Sequence, residues 1–259
     1  MSDHLLRPFV TRPDRAGIFL DFDGTLSEIV PNPFDARPVE GAKELLGDLA
    51  RKFAVVAIVS GRSAAELVDW LGPGVEIWGV HGAQRATRGT IALSPRAQPY
   101  EELMKKVHEQ ATERVAGVGA IVEDKGVMVT LHYRAARDPE RAAAALEAVA
   151  RDLADEHTLS VVPGRASYEL RPPVDFTKAA VIAERAEGLD AVAFAGDDTV
   201  DLPAFDALDA LQGKGVATLR IAVGSDEAPA ELLRRADVVV DGPVGALKLL
   251  RNLAGDDPL

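Results

Sequence analysis

A chain of 259 residues with 47% hydrophobic and 27% charged positions suits one large domain or two smaller ones, and is too apolar for wholesale disorder. Its 41 acidic and 29 basic side chains leave a formal charge of −12, which argues against nucleic acid or an anionic membrane as the main partner. There is no cysteine, so disulfide frameworks, thiolate metal sites and cysteine nucleophiles are excluded together.

The opening MSDHLLRPFVTRPDR is too broken by charge and proline for a signal segment. The run FAVVAIV at 53–59 falls far short of the roughly 20 apolar residues that cross a bilayer, so a cytoplasmic protein is expected. AGIFLDF (16–22) reads as a buried strand, and 39–52 as a helix with apolar spacing near 3.6. FAVVAIV is the next strand, and Ser63 with Glu66 forms a capping-box pattern that opens a helix ended by Gly72-Pro73-Gly74. VEIWGV (75–80) is a third strand. Continuous apolar strands alternating with helices imply a parallel sheet covered on both faces.

From 98 to 173 the order becomes helix, hairpin, helix, hairpin. A helix at 100–115 precedes GAIVE and VMVTLHY around the turn Asp124-Lys125-Gly126. Asp138 then caps a helix with Pro139 at its first position, and LSVVP and SYELRP follow around Pro163-Gly164-Arg165. This is the pattern of an antiparallel sheet with helices on one face. After Pro173 the first pattern returns, with strands AVAFAG, ATLRIAVG and DVVVD between helices. The expected architecture is therefore an α/β, doubly wound, Rossmann-like parallel-sheet core from residues 1–97 and 174–259, with an α+β module inserted at 98–173.

Three polar clusters fall at the carboxyl ends of predicted parallel strands, where open α/β sheets bind ligands. They are Asp21-Phe22-Asp23-Gly24-Thr25, Ser60-Gly61-Arg62, and Gly196-Asp197-Asp198-Thr199-Val200-Asp201. Paired carboxylates at a tight turn are costly unless a cation neutralises them, and Mg²⁺ takes such hard oxygen ligands.

DFDGT, SGR, the isolated Lys178 and GDDTVD, in this order, resemble the four motifs of the haloacid-dehalogenase-like (HAD) phosphohydrolases. The inserted module then corresponds to a C2-type cap. The resemblance implies Asp21 as nucleophile and Asp23 as acid and then base. Ser60, Gly61 and Lys178 would hold the phosphate. A Mg²⁺ cofactor would sit on Asp21, Asp23, Asp197 and Asp198, with Thr25 and Asp201 supporting from behind. GVHGAQ (79–84), the Glu123/Lys125 pair, His132-Tyr133-Arg134 and Gly164-Arg165 followed by 168–172 (YELRP) further resemble the trehalose-6-phosphate phosphatase family. That likeness points to Glu123, Lys125 and Glu169 as sugar ligands, with Arg62, His81 and Gly82 contacting substrate from the core. His132 is read as a hydrogen-bonded structural residue, and Arg134 and Arg171 as supporting ones. The implied reaction is Mg²⁺-dependent hydrolysis of trehalose 6-phosphate through an aspartyl-phosphate. A monomer is expected, with a trehalose-phosphate synthase as a partner and neither nucleic acid nor membrane. A phosphatase of the sucrose-phosphate or mannosylglycerate-phosphate type, or a non-catalytic sugar-phosphate-binding regulator, stays open as an alternative. The sequence departs from the family pattern at Gln84, Val200 and Leu202, where glutamate, threonine and glutamate are typical.

Overall fold

The computed structural model describes residues 3–164 and 166–255. The strands, in chain order, are β1 (Ala16–Leu20), β2 (Val55–Val59), β3 (Glu76–Gly79), β4 (Gln84–Thr87), β5 (Thr90–Leu93), β6 (Ile121–Asp124), β7 (Val129–His132), β8 (Ser160–Gly164), β9 (Ser167–Arg171), β10 (Ala191–Gly196), β11 (Ala217–Gly224) and β12 (Val238–Asp241). Every residue of β1, β2 and β10 is buried, as their unbroken apolar sequences require. These strands occupy the middle of an eight-stranded sheet ordered β12-β11-β10-β1-β2-β3-β4-β5. Pairing is parallel from β12 through β3, and β4 turns back antiparallel on β3.

Successive residues of the central strands feed two separate cores. Ile18 and Leu20 of β1 face one side with Val56 and Ile58 of β2 and Ala193 and Ala195 of β10. They meet Leu6 and Phe9 of α1 (Asp3–Thr11), Leu45, Leu46 and Leu49 of α2 (Ala42–Lys52), and Leu67 of α3 (Ala64–Leu71). Phe19, Ala57, Val192 and Phe194 face the other side. There they meet Ile182 of α6 (Lys178–Arg185), Phe205 and Leu208 of α7 (Leu202–Gln212), and Leu232 of α8 (Ala230–Arg235). Leu247, Leu250 and Leu253 of α9 (Gly242–Ala254) belong to the first core. The period-two strand pattern and the helix stripes thus make a doubly wound α/β sheet.

Residues 93–175, with 30–35, form a second compact unit; the first comprises 1–29, 36–92 and 176–259. The segment 30–35 is thus a piece of the second unit that the sequence reading places in the core. In the second unit an antiparallel sheet runs β6-β7-β9-β8. Val129, Leu131 and Leu170 of this sheet pack with Met104 and Val107 of α4 (Glu101–Arg114) and Leu146 and Leu153 of α5 (Pro139–His157). The helix starts follow local chemistry. Asp138 caps α5 by accepting from the Arg141 amide at 3.1 Å, with Pro139 behind it, and Ser63 with Glu66 closes a full capping box on α3.

Sequence patterning does not reveal α1, β4 or β5. α1 carries Pro8 inside it, β4 is short and mostly polar, and β5 is short and mostly exposed, so neither periodicity signals itself.

Candidate active site

β1 ends at Leu20, and the Asp21 amide still donates to the Ala195 carbonyl of β10 at 2.9 Å, fixing where the Asp21 carboxylate leaves the sheet. Lys178 is the first residue of α6, placed there because the Thr177 hydroxyl caps the helix by accepting from the Ala180 amide at 3.2 Å. The Lys178 side chain is 2% exposed, and its Nζ lies 2.8 Å from Asp21 Oδ1 and 2.5 Å from Asp201 Oδ1. Asp201 Oδ2 in turn accepts from the backbone amides of Asp197 and Asp198, at 2.9 and 3.0 Å. Burial pushes the Asp21 carboxyl up to about 7; Lys178 pulls it down, while Asp201 and Asp23 push it further up. For Lys178 burial alone disfavours the charge, yet Asp201 and Asp21 outweigh it and hold the ammonium protonated above the usual lysine range.

Asp21, Asp197 and Asp201 bring one carboxylate oxygen each within 4.8 Å of one another, all three buried. Gly24 is held at φ 73°, and a Cβ there would lie 2.0 Å from Asp197 Oδ2, so only glycine lets this turn close onto that carboxylate. With Asp23 the site holds four carboxylates against two cations, Lys178 and Arg62. A buried surplus of hard anionic oxygens is the donor set that Mg²⁺ fits. Asp201 spends both oxygens on Lys178 and two amides, which makes Asp21 and Asp197 the better direct ligands. Asp198 lies outside this group of three; its Oδ1 accepts from the Thr199 amide at 2.6 Å and hydroxyl at 3.0 Å. The Thr25 hydroxyl is fully buried without a hydrogen-bond partner among the described residues.

The second motif loop is tied to the third strand. Ser60 is buried at the end of β2; its amide donates to the Trp78 carbonyl at 3.0 Å, and its hydroxyl accepts from the Arg62 amide at 3.2 Å. Val80 and His81 adopt φ 50° and 57°, a left-handed conformation that costs non-glycine residues about 1–3 kcal/mol each. Their amides donate to the Arg62 carbonyl (2.8 Å) and the Ser60 carbonyl (2.9 Å), which offsets that strain. The His81 ring lies over Gly61, where a Cβ would come within 3.0 Å of it. Gly82, at φ 108°, completes the turn. Gln84 accepts from the Ala64 amide at 2.8 Å, so it supplies the start of α3 with an acceptor as a glutamate could. Val200 is 38% exposed in a surface turn, and Leu202 packs against the second core.

Arg62, expected from the sequence to contact substrate, lies against Asp23. It donates through Nε and Nη2 to both oxygens of Asp23, at 2.8–3.1 Å. Its guanidinium carbon lies 5.7 Å from the Phe22 ring centre and 5.0 Å from that of Trp70.

In the second unit, register sets Glu123 opposite Thr130 and Thr130 opposite Glu169, on the sheet face away from α4 and α5. Glu169 Oε2 accepts from Lys125 Nζ at 3.0 Å and from the Thr130 hydroxyl at 3.1 Å, and its Oε1 accepts from Arg171 Nε at 2.5 Å. Glu123 lies 3.8 Å from Lys125 and shares a 2.7 Å hydrogen bond with His132 Nε2. The structure therefore joins Glu123, Lys125 and Glu169 in one buried network. Sequence reasoning overlooks Thr130. Its spacing of two from His132 in VMVTLHY, which puts both on one face, is the signal that finds it. Arg165 lies outside the described residues.

Residues 19–238 match the trehalose-phosphatase family. The trehalose-phosphate phosphatase of Mycobacterium marinum is 36% identical over 214 residues, covering 76% of this chain and 54% of that protein. The trehalose-phosphate phosphatase of Mycobacterium avium is 34% identical over 250 residues, covering 92% of this chain and 61% of that protein. The present chain thus spans a little over half the length of these relatives. Among solved structures, the C-terminal domain of Candida albicans trehalose-6-phosphate phosphatase superposes with a TM-score of 0.77 at 25% identity, covering 99% of this chain and 98% of that one.

Proposed function

The chain belongs to the trehalose-phosphatase family, and from that premise we propose that it hydrolyses trehalose 6-phosphate to trehalose and phosphate, with Asp21 as nucleophile. The observation that carries this reading is the Asp21 carboxylate at the end of a central strand, buried, with Lys178 Nζ at 2.8 Å. An Asp21 oxygen attacks phosphorus, and the bond from phosphorus to the sugar oxygen breaks. Asp23 gives that oxygen its proton. Water then attacks the aspartyl-phosphate, Asp23 takes a proton from it, and phosphate leaves with Asp21 regenerated. Lys178, fixed by Asp201, keeps a positive charge beside the oxygens on which charge gathers, without reorganising as it does so. Ser60 and Gly61 border the phosphate, with His81 and Gly82 beside them.

A Mg²⁺ ion held by Asp21, Asp197 and the Asp23 carbonyl would neutralise the repulsion between carboxylates and phosphate. Glu123, Lys125 and Glu169 are the proposed sugar ligands, since a desolvated carboxylate–ammonium network offers donors and acceptors to adjacent hydroxyls. The intact Asp21, Asp23 and Lys178 favour this reading over a non-catalytic regulator.

The test is phosphate release from trehalose 6-phosphate, with and without Mg²⁺, beside sucrose 6-phosphate and mannosylglycerate phosphate. We expect Mg²⁺-dependent release with trehalose 6-phosphate preferred. Equal turnover of all three substrates would overturn the substrate assignment, and no turnover of any would overturn the reaction.

A further inference from the structure

Asp23 has two proton transfers to perform in the proposed reaction, yet its side chain is 35% exposed at the rim of a loop. A carboxylate so placed turns freely about two side-chain torsions unless something holds it. Among the described residues, Arg62 supplies every hydrogen bond that the Asp23 carboxylate accepts, through Nε to Oδ1 and Oδ2 and Nη2 to Oδ1. The fork is itself immobilised. The Arg62 side chain is 7% exposed, its Nη1 lies 3.5 Å from Glu66 Oε1, and Phe22 and Trp70, stacked at 5.2 Å, both lie against the guanidinium. Glu66 is fixed in turn by the Ser63 capping box at the start of α3. The path from helix cap to Asp23 is continuous, and every link belongs to the first unit. A buried arginine packed against two rings and a second carboxylate presents its planar fork to Asp23 in a fixed orientation.

Resting on the Asp21/Asp23 reading above, we propose that Arg62 is the positioning residue of this site, setting the Asp23 carboxylate for both proton transfers. The two transfers differ in what they demand. Breaking the ester bond needs a proton from Asp23 only when the leaving oxygen is basic, as a sugar alkoxide is; 2,4-dinitrophenolate departs without one. Hydrolysis of the aspartyl-phosphate needs Asp23 to accept a proton from water whatever the leaving group was. Loss of the orienting fork therefore separates the two halves of the reaction for one substrate and slows both for the other.

The experiment compares wild type with Arg62→Gln and Arg62→Lys on trehalose 6-phosphate and on 2,4-dinitrophenyl phosphate, by stopped flow and in steady state. In Arg62→Gln we expect kcat on trehalose 6-phosphate to fall about 10²-fold or more, within the span that general acid–base groups contribute. With 2,4-dinitrophenyl phosphate we expect a burst near one equivalent of dinitrophenolate per enzyme, followed by slow turnover. Arg62→Lys keeps the charge but not the planar fork, and should recover only part of the loss. Equal losses on both substrates with no burst would overturn the proposal, since a residue that only supports the fold or the metal ligands slows phosphorylation as well. Unchanged kcat on trehalose 6-phosphate would overturn it too. If Arg62→Gln fails to fold, Trp70→Phe, which loosens the guanidinium while leaving it in place, should shift both readouts the same way by a smaller factor, and its failure to do so is equally decisive. Failure of the underlying reading looks different: wild type would then release no phosphate, or Asp21→Asn would remain active.

Discussion

Two clusters of charged side chains, one in each unit, solve the problem of holding charge away from water in opposite ways. In the first unit Asp21, Asp23, Asp197 and Asp201 outnumber Lys178 and Arg62, and the loops carrying them are held by backbone hydrogen bonds. In the second unit Glu123 and Glu169 are matched by Lys125 and Arg171 before His132 is counted, with Lys125 in the turn after β6 and the others on the strands of one sheet. The unbalanced cluster calls for a cation, while the balanced one offers hydrogen bonds without demanding charge. One is suited to phosphoryl chemistry and the other to a neutral polyhydroxyl group.

The comparison breaks most sharply at Asp21. Asp21→Asn should lower turnover by at least about a thousandfold, as loss of a nucleophile does. It should also make the metal-free protein more stable at neutral pH, because burial penalises the Asp21 anion. The sign follows from linkage. The folded-state value near 7 lies above the unfolded 3.8, so wild type is favoured at low pH and loses that stability as pH rises from about 4 through about 7. Thermal melts in chelator across that range should fall for wild type and run flatter for the variant. An identical slope would remove the assigned cause.

Glu169→Ala strikes the balanced cluster instead. Its kcat/KM for trehalose 6-phosphate should fall about 10- to 10³-fold, the cost of a lost hydrogen-bond partner when charge is involved. Turnover of a small aryl phosphate should change little. Equal losses on both substrates would erase the division of labour between the two clusters.

The metal sharpens the contrast from the stability side. Mg²⁺ at a hundred times its dissociation constant should add about 2.7 kcal/mol to wild type and to Glu169→Gln, read as a rise in melting temperature. Asp197→Asn should lose that rise. A shift surviving in Asp197→Asn would place the ion elsewhere.

The smallest effect belongs to Gln84. Gln84→Ala removes the acceptor for the Ala64 amide and should cost about 1 kcal/mol, as lost helix caps do, whereas Gln84→Glu should melt near wild type. Calorimetry of the three proteins checks it.

How much of this the sequence shows depends on the range of the interaction. The parallel strands are legible because burial on both faces leaves an unbroken apolar run, and the capping box on α3 because its partners sit three residues apart. The site's loops are legible because carboxylates, serine and glycine fall at strand ends. The pairings within the site are not. Arg62 and Asp23 are 39 residues apart, Lys125 and Glu169 are 44 apart, and neither spacing carries a local signal. Asp201 illustrates the same limit. Its place in GDDTVD is plain, but its hold on Lys178, 23 residues away, follows only from the packing of α6 against α7, which Asp201 directly precedes.

The position of β1 also bears on the order in which the protein comes into being. β1 pairs with β2 at residues 55–58 on one side and with β10 at residues 191–195 on the other. During synthesis the first strand therefore waits, one edge bare, until roughly 170 further residues have been made. The second unit, apart from residues 30–35, is contiguous at 93–175 and complete before β10 emerges from the ribosome. Its helices and hairpins are local and quick to form, while the central sheet must close its longest loop last. Lys178 and Asp201 arrive with that same late segment, so the nascent protein gains its buried lysine and the anion to hold it within one stretch of translation. Asp21 is not left facing a half-built charge network for long.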